Sequence, residues 1–569
     1  MRFTNIKDSI TVRRADGTTE VLHATGDGGT DDTRAIQAHI DNVKDTGGTV
    51  YFPPGDYLVS QSPTERSRCL ELCSNVTYLG SGRSSRVVLK EDQPNSVRMF
   101  STAPNGAHHV TVRNLHLDGN RDRQKPKHKH LHAIFLQGAH ACLVEGCVIH
   151  DTVGDGIYGY LGEEPSLPGC PFPRTASTNL SVSRNEFYNI GRVGVNFAGA
   201  SFSEASGNFF YDPTRRRPFW AFKMEINNNF KPEGYPGYAV NFLRGNKFIG
   251  NRMRDVGGLA VSSSRDVKAV DLLFADNVIE FSLAEAEFLI DAQQVPVILS
   301  GVIGAQLSGN VISRPGTAGI LIYSSEDVLI ERNTIAKAIF ARESRDGAII
   351  ATHHTSDGSL PPSRRVRIID NLLVENKGHG LSLDKCDGML ILNNRILNNG
   401  GDGISLYLGA REYEMSFSHS LLQNNRIVGN QRHGIFVEGG ARVNNICENL
   451  IKSNGQWGVV FRGGSGVSAS AGNRLRRNRL ESNAAGGLWL MRELGEESID
   501  LGTAIVAPDD LGYNCFVNNG VGMKNESTVR VKAYGNYWDG DRIEGALERQ
   551  PERGRRESDL ASCDCPTMS

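Results

Sequence analysis

Acids, bases and phenols recur at fixed places in short, glycine-marked rows of this chain. In GDGIYGY (154–160) the turn acid Asp155 precedes Ile157, and Tyr158 and Tyr160 alternate with the residues around them as a strand requires. With Ile157 directed to a core, both phenols point out beside the acid. One row earlier, HLHAIFLQ (130–137) puts His132 in the column of Asp155 and sets Phe135 and Gln137 beside the tyrosines. One row later, IGRVGVNF (190–197) adds Arg192 in the turn and Asn196 outward. AFKMEI (221–226) then adds outward Lys223 and Glu225 between inward Phe222, Met224 and Ile226. Such a ribbon holds cations that could neutralise a carboxylate, groups that could move a proton, and two carboxyls that could split a glycosidic bond. Asp118 and Asp155 would orient the proton-exchanging groups and tune them.

A second ribbon competes. His379, Asp402 and His433 each precede the strand glycine of successive rows, with Asp346 before them and Trp457 after, and with Asp384, Tyr407, Glu438 and Arg462 outward. These residues read as substrate subsites or as the alternative centre. Insertions lie beside the first ribbon, at 161–177 and around 211–238. The latter brings Trp220 and Phe219, Phe230, Tyr235 and Tyr238 for stacking on sugar faces, and Arg215, Arg216 and Arg217 for carboxylates. Tyr160, Asn196, Trp220 and Arg216 are therefore read as substrate-binding.

The elements that must position these groups follow from a repeat. ESRDGAII, NKGHGLSLDK, NGGDGISLYL, NQRHGIFVEG, NGQWGVVFRG and NAAGGLWLMR succeed one another between 343 and 492. Asparagines recur at Asn310, Asn333, Asn371, Asn394, Asn425, Asn449 and Asn478, a base period of roughly 23 with insertions, which predicts coils of a parallel β-helix and an internal asparagine ladder. The 63 glycines and a 7% aromatic content agree with a turn-rich β architecture. Asp31 or Asp32 would cap a helix at 33–45 whose Ile36, Ile40 and Val43 share a face and plug the end of the solenoid. GGTVYFPPGDY is a strand ending in a proline-set turn.

These elements resemble those of a known group. GDGGTDDTRAIQAHIDNVKDTGGTVYFPPGDYLVS (26–60) is similar to the entry segment of the pectate-lyase-like right-handed β-helix superfamily, shared by rhamnogalacturonases, polysaccharide lyases and alginate C5-epimerases. LDGNRDRQ (117–124) resembles a segment that alginate epimerases carry just before their active site, and the end of the chain resembles the last coils of such helices. The fold class expected is all-β: a single right-handed parallel β-helix over 46–540, with residues 1–45 as N-terminal segment and capping helix. Long rim loops fall near 161–177, 211–238 and 340–364, and 541–569 forms a charge-rich tail outside the core.

The resemblance implies lyase or C5-epimerase chemistry on a uronate-containing glycan, with Arg192 and Lys223 neutralising the carboxylate and Tyr158, Tyr160 or His132 exchanging protons. Where the alginate epimerases have a Tyr-Gly-Phe-Asp-Pro-His turn, this chain has DGIYGY, so their histidine and proline-flanked acid are unmatched. The alternatives are an inverting glycoside hydrolase using Asp155 and Glu225, and a non-catalytic carbohydrate-binding β-helix. GHGLSL resembles a polygalacturonase motif and RHG (432–434) an epimerase motif.

No phosphate-cradling glycine loop opens a helix, so no organic cofactor is expected, and no acid spacing demands a metal, although calcium stays open as a rim ligand. A net charge of −2 argues against nucleic acid, and no long apolar run suggests a membrane span. The partner expected is a carbohydrate polymer or oligosaccharide. The ten cysteines read as free, core-facing thiols. The first residues lack an apolar leader, so the expectation is a cytoplasmic protein or export by a non-classical route.

Overall fold

The computed structural model describes residues 2–548 apart from 15, 126–128, 164–173, 215–218, 227–241, 265–266, 283, 285–293, 344, 353–360, 408–416, 464–471, 493, 495–498 and 504–510. The fold is that of a right-handed parallel β-helix, and among the described elements one α-helix stands at its start. The described strands fall into two compact units, residues up to 297 with 301–305, and 298–300 with 306 onward.

In the first unit the coils contribute three main short strands, and four of them add a two-residue strand, Ala107–His108, Ala139–His140, Ser177–Thr178 or Ala200–Ser201, to a further parallel sheet. One coil, for example, runs through Leu143–Glu145, Val148–His150 and Ile157–Tyr160. These join sheets here numbered I, II and III, in which every neighbour is parallel. Alternation does the sorting. Ile134, Ile157, Val195, Phe222 and Leu259 lie in register along sheet III and are fully buried. The residues between them face outward. The glycine of each row is demanded by close stacking: a Cβ on Gly156 would stand 2.7 Å from the Gly194 carbonyl, and one on Gly194 would stand 2.4 Å from the Phe210 ring. The short turn between sheets I and II takes the left-handed conformation at Asn114, Gly146, Arg184 and Gly207, which explains its preference for Asn and Gly.

The helix spans Thr33–Val43 and buries Ile36, Ile40 and Val43 against strands Arg2–Asn5, Gly48–Phe52 and Arg68–Leu72. Its capping differs from expectation. Asp32 precedes the first turn but accepts hydrogen bonds from the Thr25 and Gly26 amides, holding the preceding loop, and it is Asp31 that accepts from the Thr33 amide. The N-terminal segment also does more than cap, because Arg2–Asn5 pairs with Gly48–Phe52 as part of sheet I.

In the second unit the same pattern of parallel pairing runs through Gly347–Thr352, His379–Asp384, Ile404–Tyr407, Ile435–Glu438 and Trp457–Arg462. The asparagine ladder is present. Asn425 donates its side-chain amide to Asn449 Oδ1 at 3.0 Å and to the Ile391 carbonyl at 2.8 Å, while its own Oδ1 accepts both the backbone and the side-chain amide of Asn394. A second ladder that the sequence reading missed runs through Asn376, Asn399, Asn430, Asn454 and Asn483. Pairing also runs past residue 540, through Arg542–Glu544 and Leu547–Glu548, so the first residues assigned to the tail belong to the coils.

Among the cysteines, Cys69, Cys73, Cys142, Cys147 and Cys386 are buried free thiols and Cys447 is a half-buried one. Burial pushes Cys147 up to about 12. Cys515 departs from the free-thiol expectation: it is disulfide-bonded, which spacing alone could not show because the members of a disulfide need no fixed separation in sequence. No helix of the described residues is long and apolar enough to cross a membrane.

Candidate functional site

The turn between sheets II and III in the first unit opens into a cleft of about 700 Å³. Three successive turns supply its wall: Arg121, Asp122 and Gln124 with Lys129 from the first, Val153 from the second, Gly191 and Arg192 from the third. Outward Lys223 and Glu225 of strand Trp220–Glu225 complete it. The register is the one read from the rows: Phe135 pairs with Tyr158, Tyr158 with Asn196, and Asn196 with Lys223, one residue per coil.

Under Arg192 lies Asp155, fully buried. Its backbone N–H donates to His132 Nδ1 at 2.9 Å, which leaves the histidine proton on Nε2. Burial, with the nearby Arg98 charge, pushes His132 well below the usual histidine range, so the ring is neutral. Asn196 Nδ2 donates to Asp155 Oδ2 at 3.3 Å, and Arg192 Nε stands 3.8 Å from Oδ1, which accepts no hydrogen bond among the described residues. Burial raises the Asp155 carboxyl to about 7, against the opposing influence of Arg192 and Asn196. Tyr158 stacks on the His132 ring at 4.9 Å and on Phe135 at 5.5 Å. Burial, then the Asp155 charge, drives its hydroxyl above the ordinary phenol range.

Glu225 behaves oppositely. Its burial, which alone would raise it, is outweighed by the hydrogen bond from Lys223 Nζ at 2.8 Å and by the Lys223 and Arg192 charges, so it stays below the usual glutamate range. Arg192 Nη2 donates to Glu225 at 2.9 Å. A single guanidinium thus stands between a carboxyl inclined to keep its proton and one inclined to lose it. Arg121, Lys129, Arg192 and Lys223 outnumber Asp122 and Glu225 along the wall, so the cleft is electropositive.

His132, Asp155, Tyr158, Arg192, Asn196, Lys223 and Glu225 are therefore brought together. Tyr160 stands beside Tyr158, ring centroids 5.5 Å apart. Asp118 is not in the group. It lies on sheet II in register with His150 and is held by Arg86, because the turn that follows it carries the chain away before sheet III begins. Trp220 shares strand parity with core-facing Phe222 and Met224 rather than with Lys223. Arg216 lies outside the described residues. His379, Asp402 and His433 lie in the second unit, stacked in one turn column: Asp402 N–H donates to His379 Nδ1 at 2.8 Å and His433 N–H to Asp402 Oδ1 at 3.0 Å.

The sequence reading missed Arg121, Asp122, Gln124 and Lys129. Their signal was the charge density of RDRQKPKHK, a run too polar to be a coil and placed before the His132 row. Among the described residues, Asp118, His150 and Asp151 form the cluster whose ligand atoms are close enough for an ion. Those atoms are already engaged: Asp118 by Arg86, and His150 Nδ1 by Asp151 at 2.6 Å.

Comparison with known proteins agrees with the resemblance seen in the entry segment. Residues 20–151 match the family model described as rhamnogalacturonase A/epimerase, pectate lyase-like; 296–420 match that of the right-handed β-helix region; 408–547 match that of the periplasmic copper-binding protein NosD. Mannuronan C5-epimerase AlgE1 of Azotobacter vinelandii is 40% identical over 108 residues, 18% of this chain and 8% of that protein. Alginate lyase 7 of the same organism is 40% identical over 103 residues, 17% of this chain and 12% of that one. The chain thus matches only a small part of the length of these relatives. Among solved structures, the A-module of mannuronan C5-epimerase AlgE4 aligns over 97% of this chain and all of that one, at 14% identity and a TM-score of 0.39. The tailspike of E. coli bacteriophage HK620 in complex with pentasaccharide aligns over 84% and 76%, at 13% identity and 0.47.

Proposed function

From a chain whose opening is pectate-lyase-like and whose coils are a right-handed β-helix, we propose a carbohydrate-active enzyme that abstracts the C5 proton of a uronate residue in a polysaccharide, as a lyase or a C5-epimerase. The observation that carries this reading is the electropositive cleft walled by Arg121, Lys129, Arg192 and Lys223, with a buried carboxyl raised to about 7 beneath Arg192. The substrate carboxylate takes over Arg192 and Lys223 from Glu225, and their charge stabilises the negative charge that grows at C5 and its carboxylate. Asp155 Oδ1, free of hydrogen bonds, accepts the C5 proton, and a carboxyl that titrates near neutrality is matched to that task. Tyr158, protonated throughout the working range, then donates its proton. Delivered to O4 as the C4–O4 bond breaks, it yields an unsaturated uronate; delivered to the opposite face of C5, it yields the epimer. The AlgE epimerases and alginate lyase 7 are named for these two outcomes.

A second reading has its own support. Asp155 raised and Glu225 lowered, with Arg192 between them, is the asymmetry of an acid and a base in an inverting glycoside hydrolase. Incubation with acidic and neutral polysaccharides separates the readings. New absorbance of an unsaturated uronate marks a lyase, altered NMR signals without chain cleavage mark an epimerase, and new reducing ends without that absorbance mark the hydrolase and would refute proton abstraction at C5.

A further inference from the structure

We propose that the second unit carries a saccharide-binding site of its own, selective for a neutral sugar, built on a second copy of the turn frame that holds Asp155. The proposal extends the reading of the first unit's cleft as a saccharide site. The frames match in detail. His379 Nδ1 accepts the Asp402 N–H at 2.8 Å where His132 accepts that of Asp155 at 2.9 Å. Arg432 Nε stands 3.6 Å from Asp402 Oδ1 where Arg192 Nε stands 3.8 Å from Asp155 Oδ1.

Stacking of coils explains that frame but leaves three polar atoms over. Asp402 Oδ2, Ser405 Oγ and Asp384 Oδ1 are buried and accept no hydrogen bond among the described residues. Buried polar atoms are nearly always partnered, so such a concentration on two adjacent strands and the turn before one of them marks a place where a ligand completes the bonding. Ser405 and Asp402 belong to one coil, and Asp384 pairs with Tyr407 at the end of the neighbouring strand.

The chemistry of the atoms selects the ligand. Carboxylate oxygens call for donors and repel an anion, and a sugar hydroxyl supplies a donor without charge. The cations nearby are matched one for one: Arg345 to Asp384 at 3.2 Å, Arg432 to Asp402, Arg462 to Glu438 at 3.8 Å. Among the described residues no surplus positive charge stands beside these acids for a uronate, and the arginines already standing against them discourage a metal ion. Phe436 lies in register with Ser405 and stacks on His433. The arginine side chains are about half exposed, 46% for Arg345 and 44% for Arg432.

The test is binding of the full chain to an array of neutral and acidic glycans, followed by calorimetry with the best oligosaccharide. A neutral sugar should bind, and Ser405→Ala and Asp384→Asn should each weaken it about tenfold or more, the usual consequence of leaving a sugar hydroxyl unpaired. Ser405→Ala should hold or raise Tm, because its hydroxyl has no partner to lose; a clear fall in Tm would mean a structural role and overturn the assignment. Lys223→Ala disables the first cleft and serves as the control. Loss of neutral-sugar binding with it, binding of acidic glycans alone, or calcium binding with no response to sugar would overturn the proposal. If polyuronates are untouched while a neutral sugar binds and responds to Ser405→Ala, the first unit's assignment falls and this one stands.

Discussion

His132 and Asp155 in the first unit, and His379 and Asp402 in the second, are each 23 residues apart and make the same backbone-to-imidazole hydrogen bond. What separates the two regions is the outward column of the neighbouring strand. In the first it reads Phe135, Tyr158, Asn196, Lys223 and ends beside Glu225; in the second it reads Ser382, Ser405, Phe436, Val460. The turn frame is scaffolding that stacks where a histidine or aspartate precedes a small residue at the strand's start, Ala133, Gly156, Gly380 or Gly403. Reactivity comes from the charges and phenols placed against it. A buried carboxyl flanked by a phenol and two cations is equipped for proton transfer, whereas one flanked by serines and matched ion pairs is equipped to hold hydroxyls.

The largest effect should follow from emptying the first frame. Asp155→Asn, which keeps shape and removes the proton acceptor, should lower kcat by about a hundredfold or more, and Lys223→Ala by a similar factor, measured on whichever polysaccharide the panel identifies. Survival of activity in Asp155→Asn would move the centre elsewhere.

The pH profile sharpens the same point. With Asp155 as base, kcat/KM should rise with pH through about 7; with Asp155 as hydrolytic acid, it should fall there. Stability carries the matching sign. The folded carboxyl binds its proton more tightly than the unfolded one, ordinarily near 3.8, so stability declines as pH rises from about 4 to about 7. Asp155→Asn should therefore raise Tm at pH 8 relative to the unmodified chain and change it little at pH 4, as calorimetry would show.

A ladder substitution tests the scaffold rather than the chemistry. Asn425→Ala removes side-chain bonds to two neighbouring coils and leaves the Asn394 amides unpaired, a loss of about 2–4 kcal/mol in a denaturation experiment. The smallest effect expected is at the rim. Lys129→Ala should raise KM a few-fold, and the increment should shrink at high salt because exposed charges are screened.

Most of the architecture was legible in the sequence. Alternation within GDGIYGY and AFKMEI sorted inward from outward residues, and the spacing of Asn310, Asn333 and Asn371 announced coils. Both signals are local, since a strand's period of two and a coil's repeat need only neighbouring residues to be read. The column from His132 to Glu225 followed by adding one coil at a time. Loops broke this logic. Nothing periodic ties Arg121 or Lys129 to Arg192, and only the folding of a turn across its neighbours brings them to one wall; Asp118, three residues from Arg121, is carried to sheet II and Arg86 by the same turn. Burial was equally out of reach. Asp155 and Glu225 are both acids of one ribbon, yet one is sealed beneath Arg192 and raised while the other is held down by Lys223 and Arg192. Sequence names the ionisable groups, but their proton affinities depend on the water excluded and the charges assembled around them, which only the tertiary structure decides.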